Sequence, residues 1–390
     1  MKQKVLPALH QVPVVAKYLC IILFLLNYGG WPLAWHFQMF QPLFEGLFRL
    51  NVVKMRHLLS SKQTRKEALQ ACYESQMSIG EHPFRKVWTR SLRVRLDQSD
   101  FNMHMSNSSY AMVLDAARLR LALRVFPNIF RCGGWVPLSA THYHFVREIP
   151  ILSKYEVRAS IGSFDEKWLW VVSRFVNPNS APTSVKKLRP TDKSSAPSGG
   201  SEPTVVPMLT VPSTPLIETP RNAHDAAPPS SDAVAQALLA REAAKTTDPD
   251  GALLYTVTVE QFCFKQGRMT VPPAVVLAAN GFHAGPGAGV PLAQTGRPAP
   301  PPHWDAARAL MDLDSPKLRD LARFYAGGWR EVPAGERWWE DAFAGCEEER
   351  RARLVPFVGA NDLKGGPLGG LRGAMEGVRG LGTESSGRST

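Results

Sequence analysis

Between residues 88 and 124 the side-chain pattern changes period, and this change limits the folds open to the chain more than any other feature. Trp88, Arg90, Leu92 and Val94 alternate with Thr89, Ser91, Arg93 and Arg95, the two-residue repeat of a strand. From Ser108 or Ser109 onward, Tyr110, Val113, Leu114, Ala117, Leu121 and Arg124 recur in steps of three and four, the repeat of a helix with one largely apolar face. The stretch 96–110 joins the two and concentrates Asp97, Asp100, His104, two asparagines and four serines. Polar groups at a strand-to-helix junction can aim side chains and free backbone N–H groups at a ligand. Asn107, Ser108 or Ser109 is expected to cap the helix.

Beyond Cys132-Gly133-Gly134, the segments 136–147, 155–162, 167–176 and 253–264 are rich in Val, Ile, Phe, Tyr and Trp and read as strands. Asp165-Glu166 sits at a hairpin, and Gln266-Gly267-Arg268 at a second turn before 269–271, which Pro272-Pro273 ends. One long helix ahead of an antiparallel sheet is an α+β arrangement in which the helix covers the sheet's apolar face. The segment 177–250 interrupts the sheet with prolines, serines and threonines, the composition of a disordered insertion, with a short helix expected at 233–244. It is read as a long loop between two strands of one domain, because the residues before it hold too few strands to finish a sheet.

A hydrophobic content of 44 % over 390 residues allows a real core, while 32 prolines and 30 glycines, gathered mostly past residue 177, make the folded part shorter than the chain. A net charge of +12 suits anionic ligands, although a solvated basic surface is the simpler reading. The basic residues are dispersed, without zinc-finger spacing, a basic helix or paired RNA-binding aromatics, so nucleic acid is not expected as a partner. Five scattered cysteines without a C-x-x-C pair argue against a disulfide scaffold or a zinc site. His142 and His144 share a strand face but lack a carboxylate to complete a metal set, and the glycines at 281–289 and 327–328 lack the lysine of a phosphate loop. No metal or cofactor is expected.

From Tyr18 to Phe44 there is no Asp, Glu, Lys or Arg, which suggests a membrane anchor and interfacial segment over 1–50, with Trp31 and Trp35 at the interface. The alternative is a cleaved signal peptide, since Lys2 and Lys4 precede the apolar run. Lys2, Lys4 and Lys17 precede this segment and Arg49, Lys54, Arg56 and Lys62 follow it, a balance that favours a cytosolic main domain on a membrane such as the endoplasmic reticulum. A partly helical connector over 51–83 then leads to the domain at 84–275. The extension at 276–390 reads as irregular, with helices near 303–325 and 335–350 and a disordered tail past 365. Trp329, Trp338 and Trp339 could dock its helices onto the domain or a membrane surface.

Asp100, His104, Met105, Ser106, Asn107 and Tyr110 resemble the pattern of an aspartate, three residues, a histidine, an apolar residue, two mostly Asn positions, two residues and a tyrosine. That pattern belongs to a branch of the hotdog-fold thioesterases, the thioesterase-superfamily-member-6-like group, which includes fungal thioesterases of secondary-metabolite and lipopeptide clusters. The resemblance covers roughly 86–176 and 252–275, and the order of strand, polar stretch, long helix, three strands and final strand pair strengthens it. It implies an antiparallel sheet wrapped around its helix, a homodimer formed by sheet pairing, and acyl-thioester sites at the subunit interface. It also implies hydrolysis of an acyl-CoA or acyl-carrier-protein to a carboxylic acid and a thiol, in lipid or secondary-metabolite biosynthesis.

On this resemblance Asp100 takes the place of the catalytic carboxylate, as general base or as nucleophile. Asn107 and the backbone N–H groups at Ser108 and Ser109 would polarise the carbonyl, helped by the helix's positive end. His104 would contact the thioester or orient Asp100, or serve only as a hydrogen-bonded turn residue, and Tyr110 would line the pocket. Ser106 departs from the family's Asn; it is shorter and donates one hydrogen bond, which keeps a non-catalytic acyl-binding or scaffolding protein as the alternative. Ser106 lacks the G-x-S-x-G surroundings of a serine nucleophile.

Overall fold

The computed structural model describes residues 14–178, 248, 250–312 and 318–361. The expected helix at 233–244, nearly all of the insertion and the tail past 365 lie outside the described residues.

The N-terminal apolar run does not form a span. It divides into α1 (Val14–Leu26) and α2 (Ala34–Arg56), parted by a 3-10 turn at Tyr28–Gly30 and by Leu33 in the left-handed region at φ 65°. The first helix has 13 residues, short of the ~20 needed to cross a bilayer. The second has 23 residues but carries Glu45, Arg49, Lys54 and Arg56. Among the described residues no helix is long and apolar enough to cross a membrane, which overturns the expected anchor and the localisation built on it. Instead α2 lies along the long helix α4 (Asn107–Val125), where Glu45 meets Arg120 at 3.2 Å. A further helix, α3 (Lys62–Glu74), is capped by Ser61, whose hydroxyl accepts from the Thr64 amide at 3.1 Å.

Five strands form one antiparallel sheet: β1 (Val87–Arg93), β2 (Leu138–Phe145), β3 (Lys154–Phe164), β4 (Leu169–Asn177) and β5 (Leu253–Phe262), in the order β1-β3-β4-β5-β2. Asn177 pairs with Leu253, so the sheet resumes directly across the insertion. Period-two alternation sorts each strand onto two faces. On one face Tyr155, Val157, Phe175 and Tyr255 pack with Tyr110, Val113 and Leu114 of α4. Burying each such side chain contributes about 1.5–3 kcal/mol, which is what holds the helix to the sheet. The helix begins at Asn107 with Ser106 as its cap residue, one place before the expected caps, Ser106 makes no side-chain capping bond, and the short α5 (Pro127–Arg131) follows.

The opposite sheet face is also covered. Trp170, Val172, Leu254, Val257 and Val259 cluster with Phe357 of α10 (Glu347–Asn361). Gly162 permits this approach, since a Cβ there would sit 2.6 Å from the Phe357 ring. After β5, Gly267 at φ 58° turns the hairpin of β6 (Phe264–Gln266) and β7 (Met269–Val271). The helices α6 (Pro273–Ala279), α7 (Trp304–Ala309), α8 (Arg319–Tyr325) and α9 (Trp338–Ala344) then supply much of the largest apolar cluster. Trp338 stacks on Phe324 at 5.9 Å and on His303 at 5.4 Å, so this tryptophan closes the C-terminal helices onto one another.

Candidate functional site

The polar junction is built from β1 outward. Arg95 follows the strand and Leu96–Gln98 makes one 3-10 turn, whose first amide is held by Gln98: the Arg95 N–H donates to Gln98 Oε1 at 3.1 Å. Asp97 turns back onto Arg95, with both carboxylate oxygens accepting from the guanidinium at 2.9 Å. Arg95 also donates to Gln38 of α2 at 2.8 Å. Asp97 is therefore a structural partner of Arg95. The buried Gln98 fastens the start of α4, its carbonyl accepting from the Ser106 amide and the Ser109 hydroxyl, both at 2.9 Å.

Asp100 organises the loop that follows. Its amide donates to the His104 carbonyl at 2.8 Å, and its Oδ1 accepts from the amides of Asn102 and His104 at 2.9 and 3.2 Å. Met103 at the tip adopts φ 63°, and Phe101 and Met103 project into solvent. The loop is stitched to the segment before β3, with Met105 N–H donating to Ile149 O and Ile151 N–H to Met103 O, both at 2.8 Å. His104 Nδ1 lies 3.0 Å from Glu148 Oε2, at ion-pair distance but off the line of a hydrogen bond.

The residues singled out in the sequence divide into two groups. Asp100, His104, Ser106, Asn107 and Ser108 gather around the half-exposed loop and the opening turn of α4, where the hydroxyls of Ser106 and Ser108 lie 3.0 Å apart. Asn107 and Ser108 are exposed at the helix's positive end. Ser109 and Tyr110 point inward. The Tyr110 ring meets Phe145 and Phe175 edge-on at 5.2 and 5.0 Å, and burial pushes its hydroxyl pKa up.

Two features escaped the sequence. Glu148 is one, since nothing in its neighbourhood marks a partner for His104. The other is a buried ion pair between α4 and the sheet. Arg118 Nε donates to Glu260 Oε2 at 2.9 Å, and Glu260 Oε1 also accepts from Ser173 and Thr258 at 2.8 and 2.9 Å. Glu260 is 1 % exposed. Burial opposes the charge on Arg118, but Glu260 outweighs it and the guanidinium pKa rises. Arg118 sits among the apolar residues of α4, and Glu260 alternates onto the helix-facing side of β5, so only long-range pairing reveals them.

Part of the chain is similar to known proteins. Residues 94–192 match the family described as the thioesterase-like superfamily. A probable thioesterase of Saccharomyces cerevisiae, YBR096W, is 35 % identical over 81 residues, which are 20 % of this chain and 35 % of that protein. Thioesterase poxG of Penicillium oxalicum is 29 % identical over 177 residues, 41 % of this chain and 52 % of that protein. Protein THEM6 of Danio rerio is 30 % identical over 115 residues, 28 % of this chain and 54 % of that protein. The chain thus spans between a third and about half of the length of these relatives. The segment that holds Asp100, its loop and α4 is similar to the thioesterase-like superfamily, and the relatives it matches include fungal thioesterases and THEM6.

Proposed function

We propose that the chain hydrolyses an acyl thioester, acyl-CoA or acyl-carrier-protein, to a carboxylic acid and a thiol. The observation that carries this reading is the Asp100 carboxylate, oriented by two amides on Oδ1 beside the opening turn of α4. That orientation leaves Oδ2 to act. As general base it takes a proton from water while the oxygen attacks the thioester carbonyl carbon; as nucleophile it forms a mixed anhydride that water then opens. In either route the carbonyl oxygen gains negative charge, which the exposed Asn107 and Ser108 at the positive end of α4 stabilise; Ser109, buried and with its N–H donating to Ser106 O at 2.9 Å, takes no part. The C–S bond then breaks and the thiolate leaves, taking up a proton. His104, beside Glu148, positions the loop or contacts the thioester.

β2 lies at one edge of the sheet, paired among the described residues with β5 alone, and this edge is suited to join a second copy in a dimer that completes the acyl pocket. The reading assigns this chemistry to the domain at 84–275 and to lipid or secondary-metabolite biosynthesis.

A second reading, a non-catalytic acyl-binding or scaffolding protein, draws on Ser106 at the family's Asn position and on the structural use of Asp100 Oδ1. One assay separates the two. The full chain is offered acyl-CoA and acyl-carrier substrates of varied length while free thiol is followed, alongside Asp100→Asn. Thiol release that the substitution abolishes supports hydrolysis by Asp100; binding without turnover favours the second reading. After a single turnover in oxygen-18 water, label in the Asp100 carboxylate identifies the nucleophile route with water attacking the aspartyl carbon, whereas label in the product acid alone arises from the base route or from water attacking the acyl carbon of the anhydride.

A further inference from the structure

A small pocket lies where α2 closes over the edge of the sheet, separate from the Asp100 loop. Register places it there: Arg90 pairs with Val157 and Leu92 with Tyr155, so Arg90 and Tyr155 lie on the α4 side of adjacent strands. The pocket holds about 40 Å³, lined by Arg90, Arg95, Gln98 and Tyr155 and closed by Trp35 and Gln38 of α2. By volume it accommodates a few waters, a halide ion or the head of a carboxylate.

Its donors outnumber its acceptors. The Tyr155 hydroxyl is buried with no hydrogen-bond partner among the described residues, on a side chain 1 % exposed. Arg90 makes no ion pair or hydrogen bond among the described residues, and it is desolvated and next to the like charge of Arg120. Glu45 is the acid that favours the charge on Arg90, but its two oxygens serve Arg120 at 3.2 and 3.3 Å. Arg120 keeps its own Nε buried and unpaired. Asp97 is likewise taken up by Arg95. Arg120 lies outside the cavity wall, but the buried Tyr155 hydroxyl and the Arg90 guanidinium both line it, and an unpaired donor beside an uncompensated cation calls for an anionic acceptor.

We propose that this pocket binds a small anion, a halide or a carboxylate head, held between the Arg90 guanidinium and the Tyr155 hydroxyl, and that the bound anion fastens α2 to β1 and α4. Gln98 lines the pocket and also anchors Ser106 and Ser109, so occupancy is linked to the order of the α4 start.

The test is thermal unfolding of the full chain in rising sodium chloride or sodium acetate, with ionic strength held by a bulky sulfonate too large for the pocket. The wild type should gain a melting-temperature rise that grows with the logarithm of anion concentration. Tyr155→Phe should weaken the apparent affinity by about tenfold, the worth of one hydrogen bond, and Arg90→Leu should abolish the response. A response to both anions, to chloride alone or to acetate alone supports the site and names its source. The same ion response in wild type and both variants would overturn it. If Arg90→Leu does not fold, Tyr155→Phe decides. Crystals of the full chain grown in bromide give an independent measure: anomalous density between Arg90 and Tyr155 supports the site, and bound waters only would refute it.

Discussion

Asp97 and Asp100 are three residues apart and chemically alike, yet their surroundings give them different work. Asp97 is neutralised by a bidentate arginine at 2.9 Å, whereas Asp100 meets only backbone amides on one oxygen. On the proposed reading Asp100→Asn keeps the acceptor on the loop and removes the reactive carboxylate, so kcat for thiol release should fall by about 100-fold or more with the circular dichroism spectrum unchanged. Asp97→Asn should instead lower stability, measured by urea unfolding, by about 1–3 kcal/mol while leaving turnover per folded molecule intact. The buried pair gives a third residue-scale expectation. Glu260→Leu leaves the Arg118 Nε without its carboxylate, although Asp115 and Thr141 still hold the other guanidinium nitrogens, and should cost about 1–3 kcal/mol, while the double variant with Arg118→Leu should recover part of that loss. That Asp100, His104 and Asn107 lie together was legible, because local sequence carries the first two into one loop and the third to the start of α4 beside it. Glu148, Glu260 and the Arg90–Tyr155 pocket were not, because their partners come from other elements.

At the scale of elements, periodicity located β1, α4, β3, β4 and β5 to within a few residues, since a half-buried strand and an amphipathic helix write their faces into adjacent side chains. The N-terminal run shows the limit of such reading. Its uncharged length suggested one span, but the turn at Tyr28–Gly30 and the left-handed Leu33 divide it, and α2 is fastened to α4 by Glu45–Arg120 and to the junction by Gln38–Arg95. The cover on the second sheet face was also hidden, because it depends on the Phe357 ring meeting Gly162 and stacking on Trp170 at 5.8 Å. Phe357→Ala should therefore destabilise the fold by about 3–5 kcal/mol in chemical denaturation, a large loss for a side chain near the end of the described helices.

Across the whole molecule, buried histidines tie stability to pH. His82 is 3 % exposed, and burial, then Arg85, lowers its pKa to about 4. Burial also lowers His283 and His303. The folded state keeps these rings neutral while the unfolded chain protonates below about 6.5, so the unfolded state binds more protons in that window. Stability should be full above pH 6.5 and decline as pH falls toward 4, with His82 accounting for at most roughly 3 kcal/mol. His82→Asn, which retains an acceptor for the Phe84 amide, should flatten the melting-temperature profile across that range. Taken alone, the sequence determined the succession of strand, polar junction and helix, and with it the placement of Asp100, because period and spacing are properties of neighbouring residues. Tertiary structure alone decided that the apolar N-terminus folds back as two helices, that both sheet faces are covered, and that Arg90 and Tyr155 line one small cavity beneath α2. Each depends on side chains far apart in the chain, whose burial and charge balance exist only once the chain has closed on itself.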